Sequence, residues 1–270
     1  MKKVWLIIMM LIVLLPMWFM VVYSLEDVQG VLRMPPRLIP STPTIENFRY
    51  ISNWPLVRWI RNSAIVLVST VFLSVVVYAM AGYAFAFKKV PHEKLIWAAF
   101  IAGMMVPRMS LMIPMYVTIK QIGLSGTMSA VVLTSIYQPI NLYLTRNFMK
   151  QIPMSIVESA SIDGATEWTI LYKVIMPLAV PILTLVALFT AIFVLSDYVW
   201  QSLVFQFGDV KTLVVGIMKK VMERGGGDLN INPLGRQMAS GVILLFPLLT
   251  IFLIANKYFI TGISVGGVKE

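Results

Sequence analysis

Cysteine is absent from the 270 residues, and histidine occurs once. Without thiols the chain can hold no disulfide, no thiolate metal site and no thiol nucleophile. The lone His92 sits beside Pro91 among Lys88, Lys89, Glu93 and Lys94, the setting of a solvated turn. No His/Glu or Ser/His pair falls inside an apolar run, so an intramembrane enzyme would lack its catalytic residues. Charge is scarce as well, at 13% of residues, about half the share of an ordinary soluble domain. What replaces it is apolar, at 59%. The net charge of +10 does not point to nucleic acid, because the basic residues flank the apolar runs where they anchor helices at a membrane interface.

The runs are long enough to cross a bilayer, which takes roughly 20 apolar residues. Lys2 and Lys3 open the first, Val4 to Leu25, and Glu26 and Asp27 come directly after it. It is longer than a signal-peptide core and is not succeeded by a small-x-small cleavage pattern, so it reads as a retained span with its N-terminus in the cytoplasm. The expected fold is an all-α integral membrane protein of six transmembrane helices, near 4–25, 62–87, 95–119, 126–147, 174–197 and 237–257. External loops at 26–61 and 201–236 and a cytoplasmic loop at 150–177 complete a single membrane domain with both termini inside. Charge counting leaves the orientation open: this topology places ten Lys or Arg inside, eleven outside and Arg108 within a span. The first helix, basic before and acidic after, favours it.

The polar segment 150–177 interrupts two apolar runs and has its own grammar. Met154 to Ile162 reads as a short helix after Pro153. Asp163-Gly164 breaks it, since glycine accepts backbone angles that other residues resist. Thr166 is then a candidate N-cap, with Glu167 in the first turn. Trp168, Leu171, Tyr172 and Ile175 fall at i, i+3, i+4 and i+7, the spacing of one apolar helix face. Pro177 and Pro181 close the unit. On these residues alone, the segment is either a docking knob or a cap on a helix bundle.

Glu158-Ser159-Ala160, then Asp163-Gly164-Ala165, then the Ile175-Met176-Pro177-Leu178 exit resemble the cytoplasmic EAA loop of ABC-importer permeases. Ser159 stands where that family usually has alanine. IPSTPTIENFRYI, the run Arg61 to Phe87, SDYVWQSLVF and the ending KYFITGISVGGVKE are similar to segments of its carbohydrate-uptake branch, the last to the maltose-type smaller permease subunit. The resemblance implies a second permease subunit of a different chain, two ATPase subunits and an external solute-binding protein. It implies a bacterial or archaeal cytoplasmic (inner) membrane and a sugar or oligosaccharide as solute. It also makes Glu158, Ser159, Ala160, Asp163, Gly164, Ala165, Trp168, Leu171, Tyr172 and Pro177 the contact to the ATPase. A glycine-containing tail with Gly262, Gly266, Gly267 and Lys269 would reach between ATPase subunits.

No nucleotide loop belongs to this chain. Gly262 and Gly267 have the spacing of GxxxxGK[ST], but Val268 stands where the lysine must be. ATP and Mg are therefore expected on partner subunits, with no cofactor here. Arg108, between Pro107 and Met109, is the charge placed well inside an expected span, where it needs water, a partner or the bundle interior. It reads equally as a translocation-path residue and as a snorkelling or subunit-interface arginine. Asp197 reads as a helix cap or surface pair ahead of a solute contact. Trp5, Trp18, Trp97 and Trp200 lie near span ends and read as an interface belt. Another solute on the same architecture, a polyamine or phosphorylated polyol, stays open, as does a self-sufficient secondary carrier.

Overall fold

The computed structural model describes residues 2–33, 35–223 and 232–267, with the backbone alone at 2–3 and from 255 onward. Every regular element among them is helical, as a chain buried in lipid must be if its backbone is to satisfy itself. In order they are α1 (Lys2–Ser24), α2 (Val28–Val31), α3 (Glu46–Ser52), α4 (Leu56–Phe87), α5 (Glu93–Met104), α6 (Arg108–Gln121), α7 (Met128–Ser135) and α8 (Pro139–Met149). They continue with α9 (Met154–Ile162), α10 (Glu167–Thr169), a π-helical turn (Ile170–Ile175), α11 (Met176–Leu178), α12 (Val180–Ser196), α13 (Tyr198–Val204), α14 (Leu213–Met222) and α15 (Pro233–Gly267).

Three helices, Val4–Ser24, Leu56–Phe87 and Pro233–Ile254, are each long and apolar enough to span alone. The other expected spans are bent. The third, expected as 95–119, breaks between α5 and α6 with a turn of 103°. Pro107 explains it: the ring removes an amide donor and drives the preceding residue from helical angles, and Pro107 itself is extended (φ −61°, ψ 127°). The fourth, expected as 126–147, divides into α7 and α8 ahead of Pro139. The gap is filled by the Tyr78 hydroxyl, which donates to the Ile136 carbonyl (2.5 Å) and accepts from the Gln138 amide (2.7 Å). One phenol thus satisfies both orphaned backbone groups. The fifth, expected from 174, begins at Val180, after an 80° bend just beyond Leu178. The sixth is longer than 237–257, and the stretch expected as a polar outer loop at 201–236 holds α14.

Cα packing divides the chain into two compact units. In the first, Met1–Arg61 with Lys211–Leu249, α1 is exposed along its first half, and a buried carboxylate beyond its C-terminal end organises the adjoining loop. Glu26 accepts hydrogen bonds from the Ser41 amide (2.9 Å) and hydroxyl (2.7 Å) and from Thr42, while its carbonyl accepts from Asn47 and Asn232. Burial pushes the Glu26 carboxyl up, but these hydrogen bonds outweigh it and hold the group below the usual glutamate value. Trp59 packs on Leu213 and Ile217. Gly216 lies under its ring so closely that a Cβ there would stand 2.3 Å from the indole.

The second unit, Asn62–Val210 with Thr250–Glu270, holds the larger core. Ala79, Tyr83, Phe87, Met149, Val157, Ile170, Leu171, Ile175 and Ile182 come together, so the C-terminal ends of α4 and α8 share one apolar cluster with the polar interruption at 150–177.

Candidate functional site

The segment 154–178 is a helix, a glycine elbow and a second helix. At the elbow Gly164 has φ +80°, and no heavy atom of the described residues lies within 4 Å of where a Cβ would sit. Only the backbone angle therefore demands glycine from within the chain. The Ala165 amide bonds to the Ala160 carbonyl (3.0 Å) and the Gly164 amide to Ser161 (3.1 Å), closing α9. Thr166 caps the second helix by accepting from the Thr169 amide (3.3 Å).

The apolar face read from the spacing is split in the structure. Leu171 and Ile175 are buried with Ile170, whereas Trp168 and Tyr172 are 58% and 46% exposed. The π turn is the reason. Its bonds run from i+5 to i, as from Met176 to Leu171 (residues i+5 and i), so each turn carries an extra residue. Ile170, Leu171 and Ile175, at i, i+1 and i+5, then face the core. Trp168 and Tyr172 stack on each other outside it, ring centroids 5.9 Å apart and 14° from parallel. Glu158, Ser159, Asp163, Gly164 and Pro177 are exposed, and Ala160 and Ala165 are half-buried. Ile162, beside the elbow, is 85% exposed. Among the described residues, one side of this segment is covered and the other is exposed.

A clamp holds the covered side. Glu167 accepts from the Tyr83 hydroxyl at 2.7 Å and pairs with Lys88 at 2.5 Å. Burial works to lower the Lys88 ammonium, but the bond to Glu167 outweighs it and raises it above its usual value. A second polar cluster ties α5 to α8: Arg146 pairs with Glu93 at 2.7 Å and lies over the Trp97 ring at 4.0 Å. Trp97 also stacks on Phe100 and Tyr143. It serves packing, and so does Trp200, which is fully buried and donates to the Thr134 hydroxyl at 2.8 Å. The interface-belt reading does not hold for the fully buried Trp200.

Arg108 and Asp197, singled out separately, meet at 3.0 Å. Asp197 also caps α13 by accepting from the Trp200 amide, and the Arg108 guanidinium lies 4.3 Å above the Phe193 ring. Each residue stands at a helix break. Gly262, Gly266 and Gly267 fall on the backbone of α15 rather than in an extended tail, and Lys269 lies outside the described residues. Among the described residues no cluster of histidine, aspartate or glutamate has the geometry of a metal site.

Residues 78–265 match the family model described as binding-protein-dependent transport system inner membrane component. The chain belongs to that family. The permease is 29% identical over 235 residues to the arabinooligosaccharides transport system permease protein AraQ of Halalkalibacterium halodurans, covering 85% of this chain and 81% of AraQ. It is 30% identical over 237 residues to the trehalose transport system permease protein SugB of Mycobacterium tuberculosis, covering 86% and 85%. Its fold is similar to a chain of a bacterial ABC transporter that imports the acidic polysaccharide alginate, with a TM-score of 0.81 at 21% identity over 96% and 95% of the two chains.

Proposed function

We propose that the permease is one of two transmembrane subunits of an ATP-driven, binding-protein-dependent importer of a sugar or oligosaccharide. In this reading it crosses a bacterial or archaeal cytoplasmic membrane six times as one domain, both termini inside. Segment 150–177 is its joint with a partner ATPase. ATP and Mg are bound by two such ATPase subunits, and an external binding protein delivers solute to this chain and a second, different permease subunit. The observation that carries the reading is the two-sided loop. Its inner face is cemented to the core by Ile170, Leu171 and Ile175, and its outer face leaves Trp168, Tyr172 and Ile162 exposed among the described residues. A rigidly seated aromatic pair with an open face is suited to pass displacement between two proteins, because buried aromatic anchors dominate interface energies. The named solutes of the relatives, arabinooligosaccharides and trehalose, support a carbohydrate.

The test is reconstitution of the complete assembly in vesicles. Gly164→Trp places a large side chain where the described residues leave room, at a local backbone cost of about 1–2 kcal/mol for the left-handed angle, so the subunit should still insert and assemble. Uptake should fall to background while ATP hydrolysis persists or drops independently of solute. Normal uptake by an assembled Gly164→Trp importer would remove the joint from this segment.

A further inference from the structure

Two clefts open along the first turns of α15, and neither belongs to the coupling surface. The first, about 430 Å³, is lined by Glu26, Glu46, Asn47, Tyr50, Asn232 and Arg236 among others. The second, about 580 Å³, lies between α14 and α15 and is lined by Met218, Met222, Gln237, Ser240, Gly241 and Leu244 with Val221. At 100° per residue, Asn232, Arg236 and Ser240 succeed one another at i, i+4 and i+8, with Gln237 alongside. A polar stripe thus runs from one cleft into the other and ends at Leu244.

Within the fold, part of that stripe is accounted for. Asn232 donates to the Glu26 carbonyl and accepts from the Gly235 amide, and Arg236 stacks 3.4 Å over the Tyr50 ring. Ser240 is different. It is 2% exposed, and its hydroxyl makes no hydrogen bond among the described residues. Thr70, Thr134, Thr145 and Thr184, also on helices, each donate to the carbonyl four residues back; Ser74 and Ser135 share the buried, unpartnered state of Ser240, which in addition lines a cleft. A buried hydroxyl without a partner is unfavourable unless something supplies one. The described lining of the cleft carries no charge, offers the exposed Gln237 amide next to Ser240, and has two methionine walls that adapt to different shapes.

We propose that this cleft is a solute subsite, in which Gln237 and Ser240 hydrogen-bond hydroxyls of a neutral, hydroxyl-rich solute moving along α15. The inference rests on the importer reading and adds to it that this subunit touches the solute itself, and where. A lipid chain or a partner helix is the competing occupant.

The natural chain has no cysteine, so Gln237→Cys and Ser240→Cys each introduce the subunit's sole thiol into the reconstituted assembly. The probe is 2-sulfonatoethyl methanethiosulfonate, which stays in water, with trehalose and an arabinotriose as solutes. The thiol at the exposed position 237 should react readily and that at the buried 240 slowly, and an imported saccharide, supplied with binding protein and ATP, should slow both. Phe246→Cys, on an exposed apolar position, should stay unlabelled. Ser240→Ala should lower uptake per ATP by about two- to tenfold, the span of one neutral hydrogen bond, and Ser240→Thr should recover most of it. No labelling at 237 and 240 would mean that lipid or a helix fills the cleft. Labelling indifferent to saccharide, or unchanged uptake in Ser240→Ala, would equally overturn the subsite. An unmutated assembly that hydrolyses ATP yet imports no saccharide would instead bring down the importer reading, and the subsite with it.

Discussion

Arg108–Asp197 and Lys88–Glu167 are both single pairs of opposite charge that join distant stretches of the chain, yet their settings are opposite. Asp197 has 8% of its side chain exposed and Arg108 25%, whereas Glu167 and Lys88 keep 60% and 37%. The buried pair sits where two helices break, and each charge depends on the other because burial limits what else can solvate it. The exposed pair fastens a loop that Ile170, Leu171 and Ile175 already seat in the core. Burial decides what each is worth. Losing one partner of a buried pair strands a charge and costs about 3–5 kcal/mol. Losing an exposed pair costs at most about 1 kcal/mol.

The largest effect is therefore expected from Asp197→Ala, which strands the Arg108 guanidinium and uncaps α13. Thermal unfolding in detergent should show a strongly destabilised protein, with Arg108→Met milder and the double variant Arg108→Met/Asp197→Asn recovering part of the loss. A double variant as unstable as Asp197→Ala would mean that the cap, not the charge pair, carries the contribution. Next comes Trp168→Ala/Tyr172→Ala, which leaves the buried side of the loop intact. The isolated subunit should melt normally, but ATPase binding should weaken by about 2 kcal/mol or more if these are interface anchors. Equal affinity in a pull-down titration would show that the outer face is not the contact.

Glu26 gives an intermediate case, a carboxylate that is 2% exposed but paired with hydroxyls and amides rather than a cation. Because its folded value lies below the ordinary one, its contribution is present above the usual glutamate value of 4.5 and disappears as pH falls through the depressed value. Wild-type stability should drop on acidification below that point. Glu26→Gln should be less stable at neutral pH by about 1.5–3 kcal/mol, the worth of hydrogen bonds to a charged group, and flatter in its pH profile. The smallest effect is expected from Lys88→Met: under about 1 kcal/mol, and vanishing in high salt, since exposed charges are screened. A salt-independent loss would place this pair with the buried one.

The same contrast separates what the sequence makes legible from what it does not. Long uncharged runs, the glycine elbow at Gly164 and the Thr166 cap are local facts, and the structure has each of them. Pro107 and Pro139 also announce their breaks locally, but a hydropathy reading joins apolar residues across them and expects straight spans. Arg108 and Asp197 each stand out as charges in apolar surroundings. That they meet is a property of packing 89 residues apart. The Tyr83–Lys88–Glu167 clamp and the Tyr78 phenol that closes the α7–α8 gap carry no local signal at all, since tyrosines and lysines near span ends are commonplace. The Trp168-Leu171-Tyr172-Ile175 spacing misleads for a different reason: it assumes 3.6 residues per turn in a stretch that is wound more widely.

That wider winding is a store of slack. Ile170–Ile175 carries a residue that an α-helical turn would not hold. Deleting the exposed Lys173 would let the turn close as ordinary α-helix, with the stretches before and after it in nearly their present phase. Ile170, Leu171 and Ile175 would still share one face, and the rings of Trp168 and Tyr172 would keep the direction they now have. A one-residue deletion here would therefore disturb the loop less than the same deletion in an ordinary α-helical turn, where everything before it would rotate by about 100° against everything after.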